Sequence, residues 1–402
     1  MVAKPTMPLK ANFKQIVTTQ HDGTRLSLVR SNNTITAVGH RAYIFGGELP
    51  DGKLAGNEVH SINLQHTENT EEPESAYSIL PAVADEIDGN GVPPPRTKHA
   101  ASHLNICVAV FGGVDESGKL VDQDPTLWLY VTAKSAWQRF DAEGSSIAPV
   151  QRSDAKLFEH NNSLILYGGL DAQRQQLKDV WHFNYSSRKW TPLPSAPVST
   201  LNAALVDGTL YLIHSTESMS SDVHTLDTTT AKSEWQTRSF PINPLAPGPR
   251  PRVGGGLVPI STGYGRNYLL YFFGARENPT THETQAPDET EEPTQWSDLW
   301  TYQVGSSKPE AKATTSLADA IKPAAIKDAI RSKLGYDTGS HSWAEVEVLP
   351  PENLPDGEGK VHPGPRAYFG YDVAGEGHQI VIFGGSNAKG EREGDGWLIT
   401  FS

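Results

Sequence analysis

The side chains best suited to chemistry gather in one short stretch, His214, Ser215, Glu217, Asp222 and His224. Two imidazoles and two carboxylates at this spacing are adequate ligands for iron, zinc or manganese if folding brings His214, Glu217, Asp222 and His224 together. A divalent metal is the cofactor these residues suggest; packing of His224 with one nitrogen satisfied is the competing expectation. A second set is cationic: Arg96, Arg152, Arg252 and Arg366 each follow a proline or a polar residue, and Arg30 stands in a similar place. A ring of guanidinium groups would favour carboxylate, phosphate or enolate-like oxygen, which points to an anionic or oxygen-rich small molecule. The alternative is that these arginines hold neighbouring backbone. Glu48, Asp115, Asp171 and Arg276 could add acid, base or counter-charge. Glu48, Arg96, Arg152, Glu217 and Arg366 form the candidate catalytic set.

The elements that must position these residues repeat along the chain. An apolar run ending in a glycine pair occurs at Tyr43-Ile44-Phe45-Gly46-Gly47, Val110-Phe111-Gly112-Gly113, Leu166-Tyr167-Gly168-Gly169 and Ile382-Phe383-Gly384-Gly385. Phe273-Gly274-Ala275 and Ile213-His214-Ser215 are degenerate copies, making six units. A second run, often opened by an acid, follows: Asp179-Val180-Trp181, Asp222-Val223-His224, Asp298-Leu299-Trp300 and Asp395-Gly396-Trp397. An aromatic then opens a further strand at Tyr77, Trp137, Trp190, Trp235 and Trp343. The last unit lacks that strand, and Phe13-Lys14-Gln15-Ile16-Val17 has no unit of its own. Strand 10–18 is therefore expected to complete the last sheet and cover its open edge.

This pattern resembles kelch repeats, with four strands per blade and paired glycines ending the second strand. The resemblance implies an all-β fold, a closed six-bladed β-propeller formed by residues 1–402 as a single domain. Its blades fall at about 28–82, 96–142, 152–195, 200–242, 252–350 and 366–402 together with 10–18. Blade five carries an insertion at 303–340, where the apolar spacing of Ser316 to Leu334 predicts helix interrupted near Pro323. By strand bookkeeping, the loops after the glycines share a face with the arginine-bearing lead-ins, and the insertion lies on the opposite face.

The first unit, Ala37-Val38-Gly39-His40-Arg41-Ala42-Tyr43-Ile44-Phe45-Gly46-Gly47-Glu48, is also similar to the opening blade of plant specifier proteins. That resemblance implies a propeller directing breakdown of unstable glucosinolate aglycones with ferrous iron. The family's iron motif is spaced Glu-x-x-x-Asp-x-x-x-His, a spacing that Glu217, Asp222 and His224 do not share.

Composition narrows the partners. The net charge of -13 opposes binding to phosphate backbones, so nucleic acid is not an expected partner. No apolar run approaches a membrane span, and a single cysteine, Cys107, leaves no intrachain disulfide. These features and an N-terminus without an apolar signal stretch lead us to expect a cytoplasmic protein. Gly-x-Ser-x-Gly, Walker and His-Glu-x-x-His motifs are absent. Two functions fit. One is a small-molecule site at the channel mouth assisting a non-redox lyase, isomerase or cyclase step, as in specialised metabolism. The other is an interaction platform for a protein partner or a second copy of the chain, without catalysis.

Overall fold

The computed structural model describes residues 9–17, 28–65, 77–85, 91–122, 124–143, 147–215, 220–230, 232–243, 247–261, 267–276, 295–304, 341–350 and 360–402. Six antiparallel sheets of at least four strands form the blades of a propeller. From the channel outward, blade one is built from Thr34–Val38, Arg41–Phe45, Val59–Asn63 and Tyr77–Leu80. Blade two contains Ala100–Leu104, Cys107–Phe111, Leu127–Val131 and Ala136–Phe140. Blade three contains Lys156–His160, Ser163–Tyr167, Val180–Asn184 and Lys189–Leu193. Blade four contains Ala203–Val206, Thr209–His214, Ser221–Asp227 and Gln236–Phe240. Blade five contains Gly256–Ser261, Asn267–Phe272, Leu299–Gln303 and Trp343–Glu345.

Blade six closes the ring with chain from both ends. Gly370–Ala374, Gln379–Phe383 and Gly396–Phe401 are joined by Lys10–Val17, which pairs antiparallel to Gly396–Phe401 with Phe13 opposite Ile399. The expected N-terminal closure is therefore present, and it pairs the edge that the last strand would otherwise expose. A short strand after blade five, Glu347–Val348, runs parallel to Lys10–Val17 and ties blade five to this closure. The expected helical insertion, including Ser316 to Leu334, lies outside the described residues. The strands flanking it, Leu299–Gln303 and Trp343–Glu345, pair directly.

Beyond its first residue each second strand is apolar, but for His214 in blade four, because it is covered on both faces. Leu164, Ile165, Leu166 and Tyr167 are all essentially buried. The core is divided into seams between blades rather than gathered at one centre. One seam joins Phe45 and Tyr43 of blade one to Val108, Tyr130 and Trp137 of blade two, and another joins Phe111 and Leu129 of blade two to Leu166, Phe183 and Trp190 of blade three. The aromatics that open the outer strands thus contribute their area to these seams, with Trp137 4.9 Å from the Phe45 ring.

In blades one to four the first and second strands are joined by two-residue turns, such as Asn161-Asn162 between the paired His160 and Ser163. Both asparagines have positive φ, as the hairpin turn requires. The glycine pairs have a different reason. Gly169 has φ +100, and a Cβ there would lie 2.5 Å from the Ser153 carbonyl oxygen, so the next loop can cross the lead-in only over a bare backbone. Bridges Ser31 to Glu48, Thr97 to Val114 and Ser153 to Leu170 put lead-ins and post-glycine loops on one face, here called the glycine-loop face.

Candidate functional site

The five lead-in arginines do not open into the channel. Arg30, Arg96, Arg152 and Arg366 are 0% exposed and Arg252 is 1% exposed. Each sends Nη1 to the carbonyl at the end of its own second strand: Arg30 to Gly46 (3.0 Å), Arg96 to Gly112 (2.9 Å), Arg152 to Gly168 (3.0 Å), Arg252 to Phe273 (2.9 Å) and Arg366 to Gly384 (3.0 Å). Four meet a carboxylate near the start of the third strand. The Nη1–Oδ distances are 2.7 Å for Arg96–Asp122, 2.6 Å for Arg152–Asp179, 2.8 Å for Arg252–Asp298 and 2.7 Å for Arg366–Asp395. In blade one Arg30 Nη2 instead meets His60 Nε2 at 3.0 Å, beside Glu58.

Electrostatics match this use. Burial lowers the pKa of Arg30 to about 10 and also lowers that of Arg96. Burial alone would raise the Asp179 carboxyl, but the hydrogen bond and charge of Arg152 outweigh it and hold it below the usual range. Asp395 is held down in the same way by Arg366. The guanidinium planes of Arg96, Arg152 and Arg366 are thus committed to internal carboxylates and backbone. The sequence pattern fixed their positions, but the orientation of their side chains turns them into the blade.

The channel mouth belongs to the residue two beyond each arginine. Asn32, Lys98, Asp154 and Tyr368 all have positive φ, as does Gly254 in the same place. Their backbones form a belt: Tyr368 N–H donates to Gly254 O, Asn32 to Tyr368 O, Lys98 to Asn32 O and Asp154 to Lys98 O. Sequence reading missed this set. The available signal was the constant offset from arginine, with Asn, Asp and Gly at three of the five places tolerating left-handed backbone. Lys98 and Asp154 border a recess of about 180 Å³ between blades two and three, together with Lys119, Ser153, Asp171 and Arg174. Burial raises the Asp154 carboxyl above its ordinary pKa despite Lys98 nearby.

Deeper in the channel, Lys156 Nζ of blade three lies 3.1 Å from the Tyr371 hydroxyl of blade six, so a side-chain pair spans the ring. Beside it, Asp372 accepts the Ala37 and Val373 N–H groups, each at 2.8 Å. Burial pushes its pKa up to about 6, against those bonds and the charge of His103. On the opposite face, blades three and four border a cleft of about 300 Å³ containing His160, His182, Thr191 and Thr228.

The remaining candidates are dispersed. Glu48 binds Arg392 of blade six at 3.0 Å and accepts from Thr97 of blade two at 3.2 Å, which makes it a tie across three blades. Asp115 and Asp171 accept N–H groups of their own loops, from Lys119 (3.0 Å) and Gln175 (2.8 Å) respectively. Arg276 is exposed on its loop. In blade four, His214 pairs across strands with Asp222, and Leu212 with His224, while Glu217 lies outside the described residues. His224 is buried, its Nδ1 is 2.8 Å from Thr237 Oγ1, and burial lowers its pKa against the pull of Asp222. Among the described residues no three His, Cys, Asp or Glu side chains converge as a metal-binding group. The described members of the catalytic set are thus not brought together: Arg96, Arg152 and Arg366 lie in separate blades, and Glu48 pairs with Arg392.

The family profile of the KLHDC2/KLHL20/DRC7 Kelch-repeats domain matches residues 32–232 and, in an overlapping match, 98–319. The flagellar outer-arm dynein alpha chain of Chlamydomonas reinhardtii is 26% identical over 188 residues, 46% of this chain and 4% of that one. The N-(sulfonatooxy)prop-2-enimidothioate sulfolyase of Thlaspi arvense is 23% identical over 184 residues, 44% of this chain and 47% of the enzyme. The chain therefore matches less than half the length of either relative. A solved structure, that of YjhT, superposes with a TM-score of 0.57 at 14% identity, covering 93% of this chain and 97% of that one, a likeness that concerns the fold. No helix among the described residues is long and apolar enough to cross a membrane.

Proposed function

The chain belongs to the KLHDC2/KLHL20/DRC7 Kelch-repeat family, and from that premise we propose that it is a protein-binding platform whose working surface is the glycine-loop face. The observation that carries this reading is the internal pairing of the arginines. A site that stabilises developing negative charge needs preorganised donors aimed at the substrate, and these donors, apart from the buried Arg96 Nη2, are already satisfied inside the blades. What the face presents instead is a set of short, ordered loops with charges of both signs, including Asp51, Lys53, Asp115, Lys119, Asp171, Arg174, Lys389 and Glu391. Such a rim suits a polar, steered protein contact. The dynein relative, named as part of a flagellar arm, is consistent with a role in assembly.

The test is affinity capture with cross-linking. Charge reversal at Lys53, Lys119 and Lys389 is expected to abolish recovery of a bound partner, while reversal of the exposed Lys189, in an outer strand, leaves it intact. Equal capture by both variants would overturn the assignment of the face.

One observation favours a second reading, a small-molecule site with lyase-type chemistry. The recess beside Asp154 combines an acid whose pKa burial raises with Lys98, Lys119 and Arg174, and the Thlaspi arvense relative is named as a sulfolyase. Native mass spectrometry that finds a retained metabolite, displaced by Asp154→Asn, would move the assignment to this recess.

A further inference from the structure

Blade four is the one blade whose lead-in carries no arginine. Ile35 pairs with Ile44 in blade one and Ala203 with Leu212 in blade four, so Val198 has the same sequence offset from its first strand that Arg30 has. The same register sets Val198 against Arg96, Arg152, Arg252 and Arg366, which precede Ala101, Leu157, Leu257 and Tyr371 by the same offset. Val198 packs its half-buried side chain against the apolar seam between blades three and four. The groups that receive the guanidinium elsewhere remain.

Blade one is the internal template. Its third strand places Glu58 and His60 where blade four places Asp222 and His224, because Ile44 pairs with His60 and Leu212 with His224. In blade one, His60 Nδ1 is held by the Tyr77 hydroxyl at 2.8 Å and its Nε2 meets Arg30 Nη2 at 3.0 Å. In blade four, His224 Nδ1 is held by Thr237 at the same 2.8 Å, but Nε2 has no hydrogen-bond partner although His224 is 5% exposed. Ser215 Oγ, which takes the place of the second glycine, is also buried without a partner. Among the described residues no cation pairs with Asp222, whereas Asp122, Asp179, Asp298 and Asp395 each hold an arginine. Arg238, near in sequence, pairs in register with Val223 and so projects from the other face of the sheet. The backbone belt is interrupted at the same place, running from Gly254 through Tyr368, Asn32 and Lys98 to Asp154 without a link in blade four.

We infer that blade four holds a socket for an arginine supplied by a protein partner, with Asp222 and His224 receiving the guanidinium as His60, with Glu58 beside it, receives Arg30. A buried acceptor left without a donor costs free energy that an incoming donor recovers. A carboxylate beside an imidazole nitrogen and a hydroxyl suits the planar fork of arginine better than the point charge of lysine. The chain's net charge of -13 draws a basic partner to the surface. Asp222 lies at the strand end on the glycine-loop face, so this assignment deepens the platform reading and rests on it.

The experiment titrates protein labelled with 15N-histidine with Nα-acetyl-arginine amide, following the His224 Nε2 resonance assigned through His224→Gln. A saturable shift is expected, at least about tenfold weaker with the uncharged citrulline analogue. It is expected to vanish in Asp222→Asn, which removes the charge, and in Val198→Arg, which fills the socket from within. Val198→Leu serves as the folded control and keeps the response. No saturable shift in the wild type, or an unchanged shift in Asp222→Asn, overturns the socket. The two readings separate in partner capture. A partner lost on reversal of the loop lysines but retained by Val198→Arg and Asp222→Asn overturns the socket and leaves the platform standing. Probe binding as expected, with capture insensitive to the loop lysines, keeps the socket and overturns the role given to the loop lysines.

Discussion

Replacing Arg152 by methionine tests directly whether the lead-in arginines hold the blades together. The change removes a guanidinium that is fully buried and strips donors from Gly168 O, Val150 O and the Asp179 carboxylate. Methionine occupies comparable volume, so lost volume contributes little and the cost comes from unmatched acceptors. Breaking a buried pair by removing one partner costs about 3–5 kcal/mol. The Asp179 side chain is 30% exposed, so water resolvates part of the orphaned charge and about 2–3 kcal/mol is expected. Urea unfolding followed by tryptophan fluorescence reads this as a lower midpoint at unchanged slope. Adding Asp179→Ala removes the orphan, so the double variant is expected to lose less than the sum of the singles, with coupling of about 1–2 kcal/mol. The same linkage gives a pH signature. The folded Asp179 pKa lies below its unfolded value, so this pair's stabilisation is present above about pH 4 and is lost as pH falls through the folded value. An Arg152→Met protein within about 0.5 kcal/mol of wild type, as for an ordinary surface change, would refute the structural role.

Deleting residues 1–17 uncovers the outer edge of Gly396–Phe401, and light scattering is expected to show self-association that a synthetic Lys10–Val17 peptide reverses; a monomeric truncated protein would contradict the closure. Asp372, pushed up to about 6 by burial, binds its proton more tightly folded than unfolded, so its contribution is fully present below about pH 4 and lost as pH rises through 6. Wild type is therefore expected to lose up to about 3 kcal/mol relative to Asp372→Asn across that window, measured by urea unfolding at each pH, with a flat difference counting against the burial argument.

The fold was legible because its determinants are local and repeated. A glycine pair, an apolar run before it and an acid-led strand after it are read within a few residues, and six copies in register leave one architecture. The unpaired segment around Phe13 and the incomplete last unit located each other for the same reason: a sheet edge in water needs a partner. The site was less legible, because the fate of a long side chain depends on groups brought near by pairing. Arg152 looks alike in sequence whether it faces the channel or Asp179, and its burial beside that carboxylate decides. The Lys156–Tyr371 contact joins blades on opposite sides of the ring, a relation that no repeat spacing encodes. Blade four shows the division most sharply. Its sequence disclosed His214, Asp222 and His224 as a departure from the pattern and suggested a metal. The strand register then put Val198 at the arginine's offset from the first strand, so that what distinguishes the blade is a lead-in without its cation, and acceptors separated in the chain acquire meaning once the propeller aligns them with blade one.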